Sequence, residues 1–477
     1  MVSPCPVHAR ALATPGAPAL VAEGRRLTFA ELDAEVAAWA GRLRRLGVFR
    51  GDRVALLAWN RLASVALLFA ARRLRAALAP LNARLTPAEL APLVERLDPK
   101  LVLAEERLHD QLPAARVLEA VEREPAEPHP DTDALAADED WALLFTSGTT
   151  GQPKAARLTV RGLLGSAAAS RQNLGASPAD RWLCTLPLFH VGGLAMAIRS
   201  QVDGASLVLH RRFDAVAVAR ELAEGGITHT SLVARTLADV LDAGARPAAL
   251  RAVLVGGGPL PQALAARARA GGLPLLHTYG LTEACSQVTT ERPGDADGTT
   301  AGPPLPTLEV RILQRGGEAE GVGEILVRGP TVMAGYHGDP AATEAALAGG
   351  WLHTGDVGAL DGRGRLRVLA RRSDLIVSGG ENVYPAEVEA VLAAHPSVVE
   401  AAVVGREDAA WGEVPVAAVV LRPGTGPEGL LTWVRGRLAG FKVPAQLVVL
   451  PALPRTALEK VDRGALRRSL AMAKGAL

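Results

Sequence analysis

Cysteine, lysine and aromatic residues are all scarce in this chain, and neither sign of charge dominates. Its 3 cysteines, Cys5, Cys184 and Cys285, are scattered and odd in number. That excludes a disulfide framework and matches no zinc-ligand spacing, so a reducing compartment, the cytoplasm, is expected. Aromatics make up 4% of residues and the formal net charge is +2, with acids and bases interspersed. With no basic stripe and no interleaved aromatics, a nucleic-acid partner is not expected. No apolar run reaches the roughly 18 residues of a membrane span. Residues 65–81 come nearest, but Arg72, Arg73 and Arg75 interrupt them. The N-terminus lacks the apolar stretch of a signal peptide. Self-association is left open.

The lack of lysine is informative in the opposite sense. Lysine and arginine total 52, yet lysine stands only at positions 100, 154, 442, 460 and 474. Where arginine serves for surface charge, a retained lysine points to a need for a compact, mobile ammonium. Lys100 and Lys474 sit in polar or terminal contexts and need no special account. Lys154, Lys442 and Lys460 lie in glycine-, proline- or threonine-containing loops.

Lys154 ends the stretch that organises the chain: Thr146-Ser147-Gly148-Thr149-Thr150-Gly151-Gln152-Pro153-Lys154. It follows an apolar run, 141–145, that reads as a buried strand. Gly148 and Gly151 let the backbone turn sharply and leave its N–H groups uncovered. Successive uncovered N–H groups form an anion-binding concavity. Ser147, Thr149 and Thr150 add hydroxyl donors, and Lys154 adds positive charge. The pattern is a phosphate cradle, but not a Walker A loop, because Ala155 follows the lysine. A surface turn rich in small polar residues is the plainer reading.

With 477 residues, almost half of them hydrophobic, the chain is long enough for more than one domain. Thr28 to Glu31 is a capping box. Leu32, Val36, Trp39, Leu43 and Leu46 then follow at helical spacing, and Gly47 closes the helix. Strand and helix alternate from there, which argues for a mainly parallel sheet. Residues 112–140, rich in Pro, Glu, Asp and Ala, read as a loose loop. Residues 183–193 read as a strand running into a glycine turn, so that His190 either reaches a cleft or packs in the core. Strand 252–255 leads into Gly256, Gly257 and Gly258, a loop that lets a flat ligand or a phosphate approach, or an ordinary turn. Tyr279-Gly280-Leu281-Thr282-Glu283 places a ring, a hydroxyl and a carboxylate within five residues. The ring suits stacking on a base, the hydroxyl a phosphate, and Glu283 a magnesium ion. Alternatively Thr282 simply caps a helix. Residues 307–369 turn to short glycine-punctuated strands, an antiparallel β subdomain. Within it Thr354-Gly355-Asp356 presents a carboxylate suited to vicinal sugar hydroxyls, or forms a plain turn. A small α+β domain follows.

In series these motifs resemble the adenylate-forming superfamily of acyl-CoA synthetases, luciferases and peptide-synthetase adenylation domains, over essentially the whole chain. The resemblance implies an α/β fold: a large N-terminal domain (1–372) with mainly parallel sheets and a β subdomain, and a small mobile α+β domain (373–477). It implies an ATP-dependent acid–CoA ligase using ATP, Mg2+ and coenzyme A on a small carboxylic acid. A carboxylate first displaces pyrophosphate to give acyl-AMP, and a thiol then displaces AMP. Thr146, Ser147, Gly148, Thr149, Thr150, Gly151 and Lys154 would hold phosphates, with magnesium on Glu283. Thr282 would contact the α-phosphate, Tyr279 and Gly256 to Gly258 would flank adenine, and Asp356 and Arg371 would hold the ribose. Lys460 matches the lysine that bridges carboxylate and phosphate; Glu459 stands where a glycine is usual. Ser373 matches the pivot of a domain rotation, and Gly379 and Gly380 the turn lining the pantetheine tunnel.

Residues 187–194, 279–287 and 379–387 resemble o-succinylbenzoate–CoA ligases of menaquinone synthesis. On that resemblance His190, Gly280 and Ser286 would lie at the acyl pocket. That substrate has a second carboxylate needing a cation. Arg199 is the candidate; a surface or sheet-edge arginine is the plainer reading. Another aryl or medium-chain acyl-CoA synthetase, an enzyme loading a carrier protein, and an inactive nucleotide-binding relative stay open. The retained lysines argue against the last.

Overall fold

The computed structural model describes residues 5–130, 136–147, 153–258, 260, 262–314, 321–370, 376–383, 385–454 and 461–472. The chain divides into two compact units. The first comprises Met1–Ala83, Leu93–Thr146 and Ala155–Ala370; the second comprises Arg84–Pro92, Ser147–Lys154 and Arg371–Leu477.

The first unit opens with the expected capping box. Thr28 Oγ1 accepts the Glu31 backbone N–H at 3.3 Å, and Glu31 Oε2 accepts that of Thr28 at 2.8 Å. The helix Phe29–Arg45 then buries Leu32, Val36, Trp39 and Leu43. Parallel strands Arg53–Leu57, Ala77–Leu81 and Leu101–Ala104 follow, joined by helices Leu62–Arg73 and Pro87–Leu97. Ala77–Leu81 pairs in parallel with Asp140–Ser147, the strand that leads into the glycine-rich loop. A second sheet is parallel through Pro18–Ala22, Ser206–Leu209, Arg181–Cys184, His229–Leu232, Ala252–Val255 and Leu275–Leu281. Both of its edges are antiparallel: Arg25–Thr28 on one side and Ser286–Thr290 on the other. A third, antiparallel sheet runs in the order Glu309–Leu313, Val322–Arg328, Leu352–Leu360, Leu366–Ala370.

Residues 112–140 are not wholly the loose loop expected. They contain the strand Arg116–Val117, the helix Leu118–Arg123 and an ionic anchor at Glu139. Glu139 accepts from Arg72 at 3.1 Å and from Arg75 at 3.0 Å. The physical cause is Arg72, whose guanidinium is fully buried and needs a counter-charge. Two of the arginines that interrupt the apolar run at 65–81, Arg72 and Arg73, are therefore core elements.

In the second unit, strands Val398–Asp408 and Gly412–Leu421 form an antiparallel pair carrying helix Pro385–Ala393. Lys442 Nζ donates to Glu387 and to Glu89, at 2.7 Å each. A compact ammonium reaching two buried carboxylates accounts for one retained lysine.

Candidate active site

The strand Asp140–Ser147 forms because residues 141–144 are wholly apolar and buried. It delivers Thr146 to the start of the glycine-rich loop, where its Oγ1 donates to Glu283 Oε1 at 3.3 Å. Gly148, Thr149, Thr150 and Gly151 lie outside the described residues, as do Arg371, Ser373 and Lys460. Ser147 ends that strand, and Lys154 is half-buried in the strand Pro153–Thr159.

Glu283 sits in a single 3-10 turn, Thr282–Ala284, between the strands Leu275–Leu281 and Ser286–Thr290. Leu281, not Thr282, occupies the capping position. The expectation of Thr282 as a helix cap is corrected, because the hairpin returns at once. That return puts Cys285 and Ser286 at φ values of 54° and 93°, left-handed backbone that side chains rarely adopt. Ser166 Oγ holds it by donating to the Cys285 carbonyl at 2.8 Å. Across the hairpin, a Cβ at Gly280 would fall 1.7 Å from the Ser286 carbonyl oxygen. Gly280 is thus required by backbone approach.

Tyr279 and Asp356 are brought together. The phenol donates to Asp356 Oδ2 at 2.8 Å, and the residues are 3% and 8% exposed. Thr354 Oγ1 donates to the Ile325 carbonyl at 2.7 Å and accepts the Asp356 N–H at 3.1 Å. The threonine-glycine-aspartate stretch is therefore a pinned length of the strand Leu352–Leu360 and no plain turn. At the end of the strand Ala252–Val255, Gly256 lies against Thr278. A Cβ there would meet the Thr278 carbonyl oxygen at 2.9 Å, while Gly257 has φ +79° and Gly258 continues the loop.

His190 is the N-cap residue of helix Val191–Asp203, half-buried, its ring edge-on to Phe189 with centroids 4.9 Å apart. Gly192 and Gly193 belong to the first helical turn, so the glycine turn expected there is corrected. A Cβ at Gly193 would come within 2.3 Å of the Pro187 carbonyl oxygen.

Arg199 requires the larger correction. Nine residues of helix past His190 is two and a half turns, about 13 Å along the axis and on the opposite side. Arg199 is 3% exposed, with its guanidinium over the Trp182 ring at 5.3 Å. Burial lowers its pKa to about 10, with Asp203 opposing the shift. Asp203 itself is pushed up to about 6 by burial, against the pull of Arg199 and Arg171. Trp182 also stacks on His229, which burial lowers to about 4. Arg199 is thus a buried core cation against Trp182, on the far side of its helix from His190 and not at the surface.

In the second unit, Gly379 and Gly380 form the turn between Ile376–Ser378 and Glu381–Val383, at φ +56° and +84°. A Cβ at Gly379 would meet the Trp411 ring at 2.5 Å.

One residue escaped sequence reasoning. Tyr336 OH donates to the same Glu283 Oε1 at 2.9 Å. Its scarcity was the available signal: the chain has 3 tyrosines, and Tyr279 and Tyr336 both donate to a buried carboxylate.

The AMP-binding enzyme family model matches residues 7–337, and its C-terminal domain model matches residues 387–460. The chain belongs to the AMP-binding enzyme family. The 2-succinylbenzoate–CoA ligase of Bacillus licheniformis is 40% identical over 464 residues, 95% of this chain and 97% of that protein. Among solved structures, a double mutant of the o-succinylbenzoate CoA synthetase of Bacillus subtilis, bound to the product analogue OSB-NCoA, aligns with a TM-score of 0.92 at 38% identity. That match covers 98% of this chain and 99% of the other. The same synthetase in complex with ATP and a magnesium ion aligns with a TM-score of 0.74 at 38% identity, covering 99% and 100%. The family accounts for the mixed α/β architecture and the separate C-terminal domain.

Among the described residues no helix is long and apolar enough to cross a membrane. Nor do three or more His, Cys, Asp or Glu side chains among them gather into a metal cage.

Proposed function

We propose that this chain is an ATP-dependent 2-succinylbenzoate–CoA ligase of menaquinone synthesis, forming an acyl-adenylate and then the CoA thioester. The reading is carried by likeness to such a ligase across 95% of the chain. In the first step a substrate carboxylate oxygen attacks the α-phosphorus of ATP and pyrophosphate leaves. In the second the coenzyme A sulfur attacks the acyl carbon, AMP leaves, and the thiol proton passes to solvent. The need for ATP and coenzyme A supports a cytoplasmic enzyme acting on a small-molecule carboxylic acid.

Thr146, Ser147, Gly148, Thr149, Thr150, Gly151 and Lys154 neutralise the ATP phosphates, which need several donors at once. Glu283 is the residue to hold Mg2+. A lone carboxylate fits that ion, which ordinarily takes one or two carboxylates with phosphate oxygens and water rather than a protein cage. When bound, the ion neutralises phosphate charge. Thr282 donates to the α-phosphate, Tyr279 and the glycines 256–258 flank adenine, and Asp356 and Arg371 hold the ribose. His190, Gly280 and Ser286 border the acyl group. Residues 1–372 form the adenylation domain. Residues 373–477 form the mobile domain, with Ser373 as pivot and Gly379 and Gly380 beside pantetheine.

AMP release dependent on coenzyme A, measured across a panel of acids, tests the reading. It stands if 2-succinylbenzoate exceeds benzoate and medium-chain fatty acids in kcat/KM. Turnover only with a carrier protein's phosphopantetheine would replace it.

Asp356→Ala is expected to weaken ATP binding by roughly 1.5–3 kcal/mol, the range for charge-assisted hydrogen bonds. Tyr279→Phe keeps the ring and removes only the hydroxyl that orients Asp356, so its loss should be smaller. Calorimetric titration of ATP compares the two; a folded Asp356→Ala protein with unchanged affinity refutes the ribose role. Ser373→Pro is expected to leave acyl-AMP formation intact and block its conversion to thioester, because proline fixes φ near −65°. Normal coenzyme A turnover in that variant would remove Ser373 from the pivot.

A further inference from the structure

The carboxylate of Glu283 is 3% exposed and is approached by a hydroxyl from each of two distant parts of the chain, Thr146 and Tyr336. Both donate to Oε1, Tyr336 at 2.9 Å and Thr146 at 3.3 Å. We propose that Tyr336 is a positioning residue for the magnesium-binding carboxylate, setting the plane of Glu283 and tying it to the strand that leaves the phosphate loop. The inference rests on the ATP chemistry proposed above.

The segment around Tyr336 is built to do both. Ala334 N donates to the Arg157 carbonyl at 3.0 Å, Arg157 N to Gly335 at 2.9 Å, and His337 N to Ala155 at 2.8 Å. Tyr336 therefore bridges Ala156, in the strand that begins at Pro153. On its other side, Met333 N donates to the Glu283 backbone carbonyl at 2.8 Å. Residues 333–337 thus grip Glu283 by its main chain and by its carboxylate, and grip the exit strand of the loop as well. The segment is held in turn by Thr343, whose Oγ1 accepts the Tyr336 N–H at 2.8 Å. Gly335, at φ +130°, makes this possible, since a Cβ there would meet Thr343 Cγ2 at 2.5 Å. A carboxylate oriented by buried hydroxyls does not have to be ordered when Mg·ATP arrives. Groups that orient a metal ligand in this way typically change metal affinity by about 10- to 100-fold when removed.

Tyr336→Phe retains the ring and every backbone contact of the bridge. ATP binding is measured by calorimetry with Mg2+ and with EDTA, for the wild-type chain and the variant. In the variant, affinity in EDTA is expected to stay within about twofold of wild type, while the enhancement conferred by Mg2+ falls about tenfold. Thr146→Val, removing the longer hydrogen bond, should lose less of the enhancement. The same enhancement in Tyr336→Phe as in wild type, or equal losses with and without Mg2+, would overturn the assignment and leave Tyr336 a packing residue. An unfolded Tyr336→Phe protein, with Thr146→Val folded and its enhancement unchanged, would overturn it too. Failure of the wild-type chain to bind Mg·ATP would instead strike the proposed function.

Discussion

Replacing Lys460 with alanine is expected to slow acyl-adenylate formation by about two to three orders of magnitude, the loss typical of a preorganised transition-state charge. The attack brings an anionic carboxylate onto an anionic phosphate, and the charge that builds between them needs a cation small enough to touch both. Lysine supplies a point charge with rotatable donors, whereas arginine is planar and fork-shaped. This chain uses arginine almost everywhere, yet keeps lysine at 460. Lys460→Arg should therefore rescue poorly. Thioester formation from supplied acyl-adenylate involves no attack on phosphate and should fall far less. Rapid-quench measurement of the two half-reactions separates the cases, and equal losses in both would remove the bridging role.

The helix at Phe29–Arg45 was legible because capping box, apolar spacing and closing glycine agree. The strand at Asp140–Ser147 was legible because a buried parallel strand must be apolar throughout. The local setting of His190 was misread from the glycines after it, which suggest a turn but begin a helix. Gly193 is small because the helix N-terminus passes close to the Pro187 carbonyl, a tertiary demand with no local signature. Tyr279 and Asp356 were each visible as motif residues. Their 2.8 Å hydrogen bond depends on how the parallel sheet meets the antiparallel one, and spans 77 positions of sequence. Glu139 was missed because a counter-charge for buried Arg72 looks, in sequence, like one more acid in a polar stretch.

Arg199 is the case in which structure reverses an expectation, and it changes what its mutation should do. Arg199→Leu is expected to destabilise the fold, since it removes the cation whose field most offsets the burial of Asp203, and to leave substrate choice unaltered. Asp203 lies one helical turn on, buried, with Arg171 at 3.7 Å as a weaker partner. With Arg199 present, burial already raises Asp203 from 3.8 to about 6. A carboxylate raised in the folded state contributes stability that is complete below its unfolded pKa and is lost as pH rises through the folded one. Without Arg199 the folded pKa climbs further, so the loss extends to higher pH. The gap in stability between variant and wild type should therefore be wide at pH 8 and narrow toward pH 5, as Asp203 takes up a proton. His229, lowered to about 4, works the other way: its stability is present above its usual 6.5 and is lost as pH falls. Arg199 is one of the charges that lower it, so the variant loses less of this stability at low pH, which narrows the gap further toward pH 5. Arg199→Leu combined with Asp203→Leu removes both charges and should recover most of the loss, since well-packed apolar replacements of buried pairs are often neutral or better. Denaturant unfolding across pH measures the gap. Activity against 2-succinylbenzoate and benzoate should fall by the same factor, tracking the folded fraction. A loss confined to the dicarboxylate in a protein of wild-type stability would return Arg199 to the acyl pocket.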